Sequence, residues 1–288
     1  MIKSRHPSQF PILAMTFINP KTDYAFKRIF GSSESKDILI SFLNAMIYDG
    51  NPTIQDLEII NPNLPPRVEG LKDSSLDVKA QLADGTLVII EMQVLNVESF
   101  GQRILYNAAK TYASQLQKGQ GYRMLKPVIA LTITDFEMFK NSNQLISRFV
   151  YKEEASNLPY PDNDLKLVFV ELPKFTKEVD QLETLADKWI YFMKYAVTIT
   201  NIPPVMDSVP EIHKAFGIAD QVNLTPDELA DLERREMFIY DQQGAILQAV
   251  QEEKQAIARQ LLDRLDDATI AQITGLSVQN VQNLRSEV

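Results

Sequence analysis

Three residues suited to hydrolytic chemistry share a fixed spacing in the segment SSLDVKAQLADGTLVIIEMQV, residues 74–94. Asp77 is followed fourteen positions later by Glu91, and Glu91 two positions later by Gln93. Two carboxylates on one sheet face, with the Met92 backbone carbonyl, would offer oxygens to a hard cation such as Mg²⁺, waters completing its octahedral shell. Such an ion polarises a phosphoryl oxygen and lowers the pKa of a bound water, which Gln93 could orient. On spacing alone the same residues also fit the solvated polar face of an ordinary hairpin, and both readings stand.

Register decides whether the three meet. Leu76, Val78, Ala80 and Leu82 alternate with Asp77, Lys79 and Gln81, and after Ala83-Asp84-Gly85 the alternation resumes through Val88, Ile90, Met92 and Val94. That period of two is a strand signature. A two-residue Asp84-Gly85 turn would set apolar side chains opposite polar ones. A three-residue loop with Gly85 in the left-handed region pairs Leu82 with Thr86, and therefore Asp77 with Glu91. Slipping by one residue would turn a whole apolar set into water, so burial selects the second register. Like charges directly opposed are destabilising, and a cation is the simplest compensation.

Composition removes several alternatives. The 288-residue chain is 45% hydrophobic and 23% charged, an ordinary globular balance, and it has no cysteine. Only His6 and His213 are present, so a Ser-His-Asp triad or a histidine-rich zinc site would rest on His213 alone. No apolar run approaches a membrane span and FPILAM is too short for a signal-peptide core, so a cytoplasmic protein is expected. The net charge of −9 argues against non-specific nucleic-acid binding by bulk charge. Charge is uneven, however. Residues 99–134 hold no Asp or Glu but carry Arg103, Lys110, Lys118, Arg123 and Lys126.

Around the hairpin the chain supplies helices and further strands. Residues 1–14 read as a loose leader, with Met15 as an alternative start. Thr22 caps a helix that Gly31 ends, and SKDILISFLNAMI continues as a second. TIQDLEII, PVIALTIT and LKLVFVEL read as strands. SFGQRILYNAAKTYASQLQKG reads as a long helix, its apolar stripe Phe100, Ile104, Leu105, Ala108, Tyr112 and Leu116, with Lys118 and Gly119 at its exit. A strand–helix–strand return beside the hairpin implies an α/β core with a mixed sheet covered by helices. From about Glu178 the pattern turns helical, with Trp189 in the core, a long charged helix from Thr225, and two short helices around Gly275. That last pair has a helix-turn-helix outline, but only Arg285 is basic on its second helix, which suits a packed hairpin serving self-association. The expected division is 1–14, 15–175 as core and 176–288 as a helical region.

The stretches TDYAFKRIFG, LDVKAQLADGTLVIIEMQV and QRILYNAAKTYASQLQKGQGYRMLKPVIALTI, in this order and spacing, resemble the recombination-promoting nuclease / putative transposase family of the PD-(D/E)XK superfamily. The resemblance spans roughly Asn19 to Phe139 and extends more loosely to IARQLLDRLDDATIAQITGLSVQNVQNL. It implies a restriction-endonuclease-like core and DNA cleavage dependent on Mg²⁺, with Mn²⁺ as a substitute. Asp77 matches the superfamily's first acid, Glu91 its second, and Gln93 stands where lysine is usual. Asp23 matches the family's helical acid and Lys27 is a candidate phosphate contact. Arg103 and Lys110, on the acid-free helix, are the expected DNA contacts. For these helpers a bland role stays open: Asp23 favouring a helix N-terminus, Lys27 and Arg103 simply solvated. Two functions follow, a Mg²⁺-dependent endonuclease of recombination or mobile elements, or a non-cutting member that binds DNA or protein. Self-association through the C-terminal helices is a further expectation.

Overall fold

Thr22 opens the first helix by accepting a hydrogen bond from Ala25 N–H, and Gly31 closes it. This helix, α1 (Asp23–Phe30), is followed by α2 (Lys36–Ile47). The computed structural model describes residues 17–64, 74–162 and 164–287; the expected leader lies outside them. Strands β1 (Leu57–Ile60), β2 (Asn63–Leu64), β3 (Ser74–Ser75), β4 (Val78–Leu82) and β5 (Leu87–Gln93) come next. Then come α3 (Phe100–Ala113), β6 (Val128–Thr134), β7 (Ile146–Phe149) and β8 (Leu165–Glu171). Helices α4 (Leu185–Tyr195), α5 (Pro204–Asp207), α6 (Pro210–Ala219), α7 (Pro226–Leu261), α8 (Asp267–Thr274) and α9 (Val278–Ser286) complete the chain.

The main sheet has the order β1-β4-β5-β6-β8-β7. Its centre, β5-β6-β8, is parallel, and the flanking pairs are antiparallel. The fold is therefore the expected α/β architecture, a mixed sheet between helices. One face carries Val88, Ile90, Leu131 and Val168 into the larger core, where Phe26, Phe30, Phe42 and Trp189 pack. Trp189 is fully buried, edge-on to Phe42 at 5.7 Å, and its indole N–H donates to Ser41 Oγ. On the other face α3 seats Phe100, Ile104 and Ala108 over Ile89, Ala130 and Phe169. Cover on both sides explains why β5 and β6 are nearly continuous apolar runs.

Two elements depart from expectation. Helix α3 stops at Ala113 rather than running to Gly119, because Gln115 turns away to bracket Lys126 with two hydrogen bonds, one to its carbonyl and one from its N–H. Its buried stripe includes Asn107 and Thr111, while Leu105 is exposed. Strand β7 has no clear alternation, and it forms as an edge strand because β8 offers it an antiparallel partner. The first compact unit runs to Leu232, with α4 and α6 packed against α2 in the larger core.

The second unit, Glu233–Val288, has its own small core of Ala258, Leu262, Ile270, Val281 and Leu284. Ser277 caps α9, and Gly275 takes the left-handed conformation (φ 69°) that the tight turn requires. Arg285 is engaged within this hairpin, donating to the carbonyls of Leu262 and Leu265 and to Asp267. Among the described residues no helix is long and apolar enough to cross a membrane.

Candidate active site

The hairpin register places the two carboxylates. Val78 pairs with Ile90, Lys79 with Ile89 and Ala80 with Val88. The loop is Ala83-Asp84-Gly85, with Gly85 at φ 89° and Leu82 N–H donating to Thr86 O at 2.8 Å. Continued one step, this register sets Asp77 opposite Glu91 on one face, as expected. Leu82 with Thr86 is a hydrogen-bonded pair, and such pairs alternate along the ladder, so Leu76 with Met92 would be the next after Val78 with Ile90. There the ladder breaks. Leu76 N–H donates instead to Pro62 O, and Asp77 Oδ2 accepts the Met92 N–H at 2.7 Å. The N–H and C=O of a ladder residue face the same way, so the Met92 carbonyl is directed toward the side where Asp77 lies.

Burial makes this pair electrostatically unsettled. The Asp77 carboxyl is pushed up from 3.8 to about 7, mainly by burial, with Asp23 and Glu91 adding to the rise and the Met92 N–H opposing it. Burial also raises Glu91, against the pull of Arg103 and a hydrogen bond with Asn107. Two cations stand at the rim. Lys27 Nζ lies 2.6 Å from Asp23 and 3.8 Å from Asp77. Arg103 reaches Glu91 Oε1 at 2.5 Å and Gln93 Oε1 at 2.6 Å, while Gln93 Nε2 donates to Leu95 O. Both cations are about two-fifths exposed, so each is screened and free to exchange partners.

The structure thus brings together Asp23, Lys27, Asp77, Glu91, Gln93 and Arg103. Lys110 stands apart, two turns further along α3 and about 10 Å from Arg103 by helix rise, beside the Tyr106 ring. His213 is exposed and paired with Asp207. Asn107 was not anticipated. It is 3% exposed, touches Glu91 from behind, and its Oδ1 has no partner among the described residues. Its signal was an amide three positions after Ile104, inside a helical apolar stripe, where an uncharged polar group demands a purpose.

These residues fit a divalent cation by chemistry. Asp77 and Glu91 are hard, partly buried oxygen donors whose charged forms burial disfavours, and Met92 supplies a carbonyl. The set is lean: among the described residues no group of three or more Asp, Glu, His or Cys is arranged to hold a metal. A family model described as PD-(D/E)XK nuclease family transposase matches residues 20–249. No curated protein and no solved structure matches the chain.

Proposed function

The chain belongs to the PD-(D/E)XK nuclease family transposases, and from that membership and the hairpin site we propose a Mg²⁺-dependent DNA endonuclease acting in recombination or mobile-element movement. The observation that carries the reading is the partly buried, opposed pair Asp77 and Glu91, whose pKa values burial raises. Asp77, Glu91 and the Met92 carbonyl would hold Mg²⁺, or Mn²⁺ in its place. When bound there, the ion supplies Lewis-acid polarisation of a phosphoryl oxygen and acidifies the attacking water.

The protein's own groups do the rest. Gln93 offers an amide to the attacking water or to a non-bridging oxygen. Lys27 and Arg103, now resting on the carboxylates, transfer to DNA phosphates as the substrate docks, which uncovers Asp77 and Glu91 together. Lys110 extends the contact along α3, and Asp23 holds Lys27 in place. Each phosphate contact adds affinity that falls with salt. Cytoplasmic location and self-association through residues 233–288 complete the proposal. Exposed Met237, Phe238, Tyr240 and Leu247 on α7 support the latter.

A non-cutting DNA-binding member is the second reading, favoured by the lean donor set. Incubating the purified protein with supercoiled plasmid separates the two. Nicking or linearisation with Mg²⁺ or Mn²⁺, lost in EDTA, is expected; intact plasmid under both metals would leave the binding protein.

A further inference from the structure

At the far end of the sheet from Glu91, where β8 begins, lies a cleft of about 740 Å³ lined by Tyr112, Tyr122, Tyr151 and Tyr160. The volume is that of a small-ligand pocket. These are four of the ten tyrosines in the chain, drawn from α3, the turn before β6 and the β7–β8 connection. Three of them hold their rings in water: Tyr122 is 84% exposed, Tyr160 59% and Tyr151 49%. Asp162, Asp164 and Arg123 complete the polar lining. Asp164 already accepts the Tyr112 hydroxyl at 2.5 Å, which fixes both side chains, while its remaining lone pairs stay able to accept.

We propose that this cleft binds an unpaired nucleotide of the DNA substrate, its base against the tyrosines, its amino edge on Asp162 or Asp164 and its phosphate on Arg123. The inference rests on the DNA-endonuclease reading and names a structural feature of the substrate. Tyrosine rings stack on any base, and such stacking contributes about 1–3 kcal/mol per base. Carboxylates accept from exocyclic amino groups such as cytosine N4 and repel a carbonyl at the same position, as in thymine. They would also repel a phosphate, so the base rather than the backbone faces them. Arg123 disfavours a small free cation, the other ligand that rings and carboxylates attract. The cleft opens beside α3, whose other end carries Arg103 at the catalytic carboxylates. A single-stranded extension leaving a duplex held at Arg103 would reach it within a few nucleotides, given a helix rise of about 13 Å from Arg103 to Tyr112.

The test is fluorescence anisotropy of labelled DNA with the full chain in EDTA, where no cleavage occurs. Blunt duplex is compared with the same duplex carrying a five-nucleotide dC or dT extension. The dC extension should tighten binding about tenfold over blunt duplex, with dT weaker than dC. Tyr122→Ala/Tyr160→Ala should erase that gain while leaving blunt-duplex affinity and melting temperature unchanged, and Tyr122→Phe should keep it. Equal affinity for blunt and extended DNA, or a gain that survives the double variant, overturns the proposal. So does saturable binding of choline at the cleft with no effect of an extension, which would make it a cation cage. If extension-dependent binding persists in a protein that never cuts plasmid, the cleft stands and the endonuclease reading falls. Plasmid cleavage without an extension effect gives the reverse.

Discussion

Glu91 and Glu171 occupy comparable places, at the same end and on the same face of the sheet, two strands apart. Register rows make this explicit: Glu91 aligns with Thr132 and Phe169, and Gln93 with Thr134 and Glu171. Glu171 is fully buried and Glu91 partly so, and their surroundings differ. Glu171 is fully buried and saturated: Lys174 Nζ at 2.6 Å on one oxygen, the N–H groups of Met138 and Phe139 on the other. Lys174 in turn donates to Phe139 O. Glu91 has one partly exposed arginine, an asparagine behind it, and a second carboxylate opposite. The saturated acid anchors the loop after β6. On the proposed function, the unsaturated pair has free energy to gain from an incoming cation, whereas Glu171 has none.

Removing the unsaturated acids should have the largest effect, and on activity. Asp77→Ala or Glu91→Ala is expected to lower plasmid cleavage at least ~10³-fold, about 4 kcal/mol, while the protein stays folded. Metal-dependent cleavage that survives both substitutions would place the chemistry elsewhere. The saturated acid should behave oppositely. Glu171→Ala leaves Lys174 buried without its counter-ion and two N–H groups without an acceptor, a loss of about 3–5 kcal/mol in chemical denaturation. Asp77→Asn, measured in EDTA, should be neutral or stabilising because it relieves repulsion. Equal destabilisation by the two changes would dissolve the distinction.

Gln93 lies between these extremes. Gln93→Ala should lose about 2–4 kcal/mol of transition-state stabilisation, the range for one positioned donor. Gln93→Lys should keep activity, since an ammonium on a longer stem reaches the same water and phosphate oxygens. A lysine variant as inactive as the alanine one would show that the amide carbonyl, which now accepts from Arg103, is the group that matters.

How much of this was legible in the sequence follows from range. The α1 cap needed only Thr22 and its neighbours, and the hairpin register needed only period-two alternation and Gly85. Asp77 and Glu91 were therefore placed by local rules. The face of α3 was not: Leu105 and Asn107 are both near the edge of a helical stripe, and only the sheet beneath decides which is buried. Glu171 reads as the polar end of a strand: Lys174 is close in sequence, but the N–H groups of Met138 and Phe139 come from the distant loop after β6. Likewise Lys27, although an i,i+4 partner of Asp23, carries no mark in the sequence of Asp77, nor does Arg103 of Glu91.

The smallest expected effect is on pH dependence, and it probes the unsaturated pair alone. In the unfolded chain Asp77 titrates at its ordinary 3.8; in the folded, metal-free protein it titrates at about 7. Between those values the folded state holds a proton that the unfolded state has released, so stability falls as pH rises. The contribution is complete below 3.8 and gone above about 7, with a slope on the order of 1 kcal/mol per pH unit in between. Glu91, also raised by burial, pulls in the same direction. Acids such as Asp187, where burial raises the pKa but the Lys177 ion pair and the Thr184 hydrogen bonds together outweigh it and lower it, act oppositely, so the informative quantity is the difference between wild type and Asp77→Asn. In EDTA the melting temperature of wild type should drop relative to Asp77→Asn from pH 4 to pH 7. Adding Mg²⁺ at pH 8 should raise it in wild type only, because a ligand of the folded state stabilises by mass action. Parallel pH curves, with no response to Mg²⁺, would mean that Asp77 is as fully compensated as Glu171.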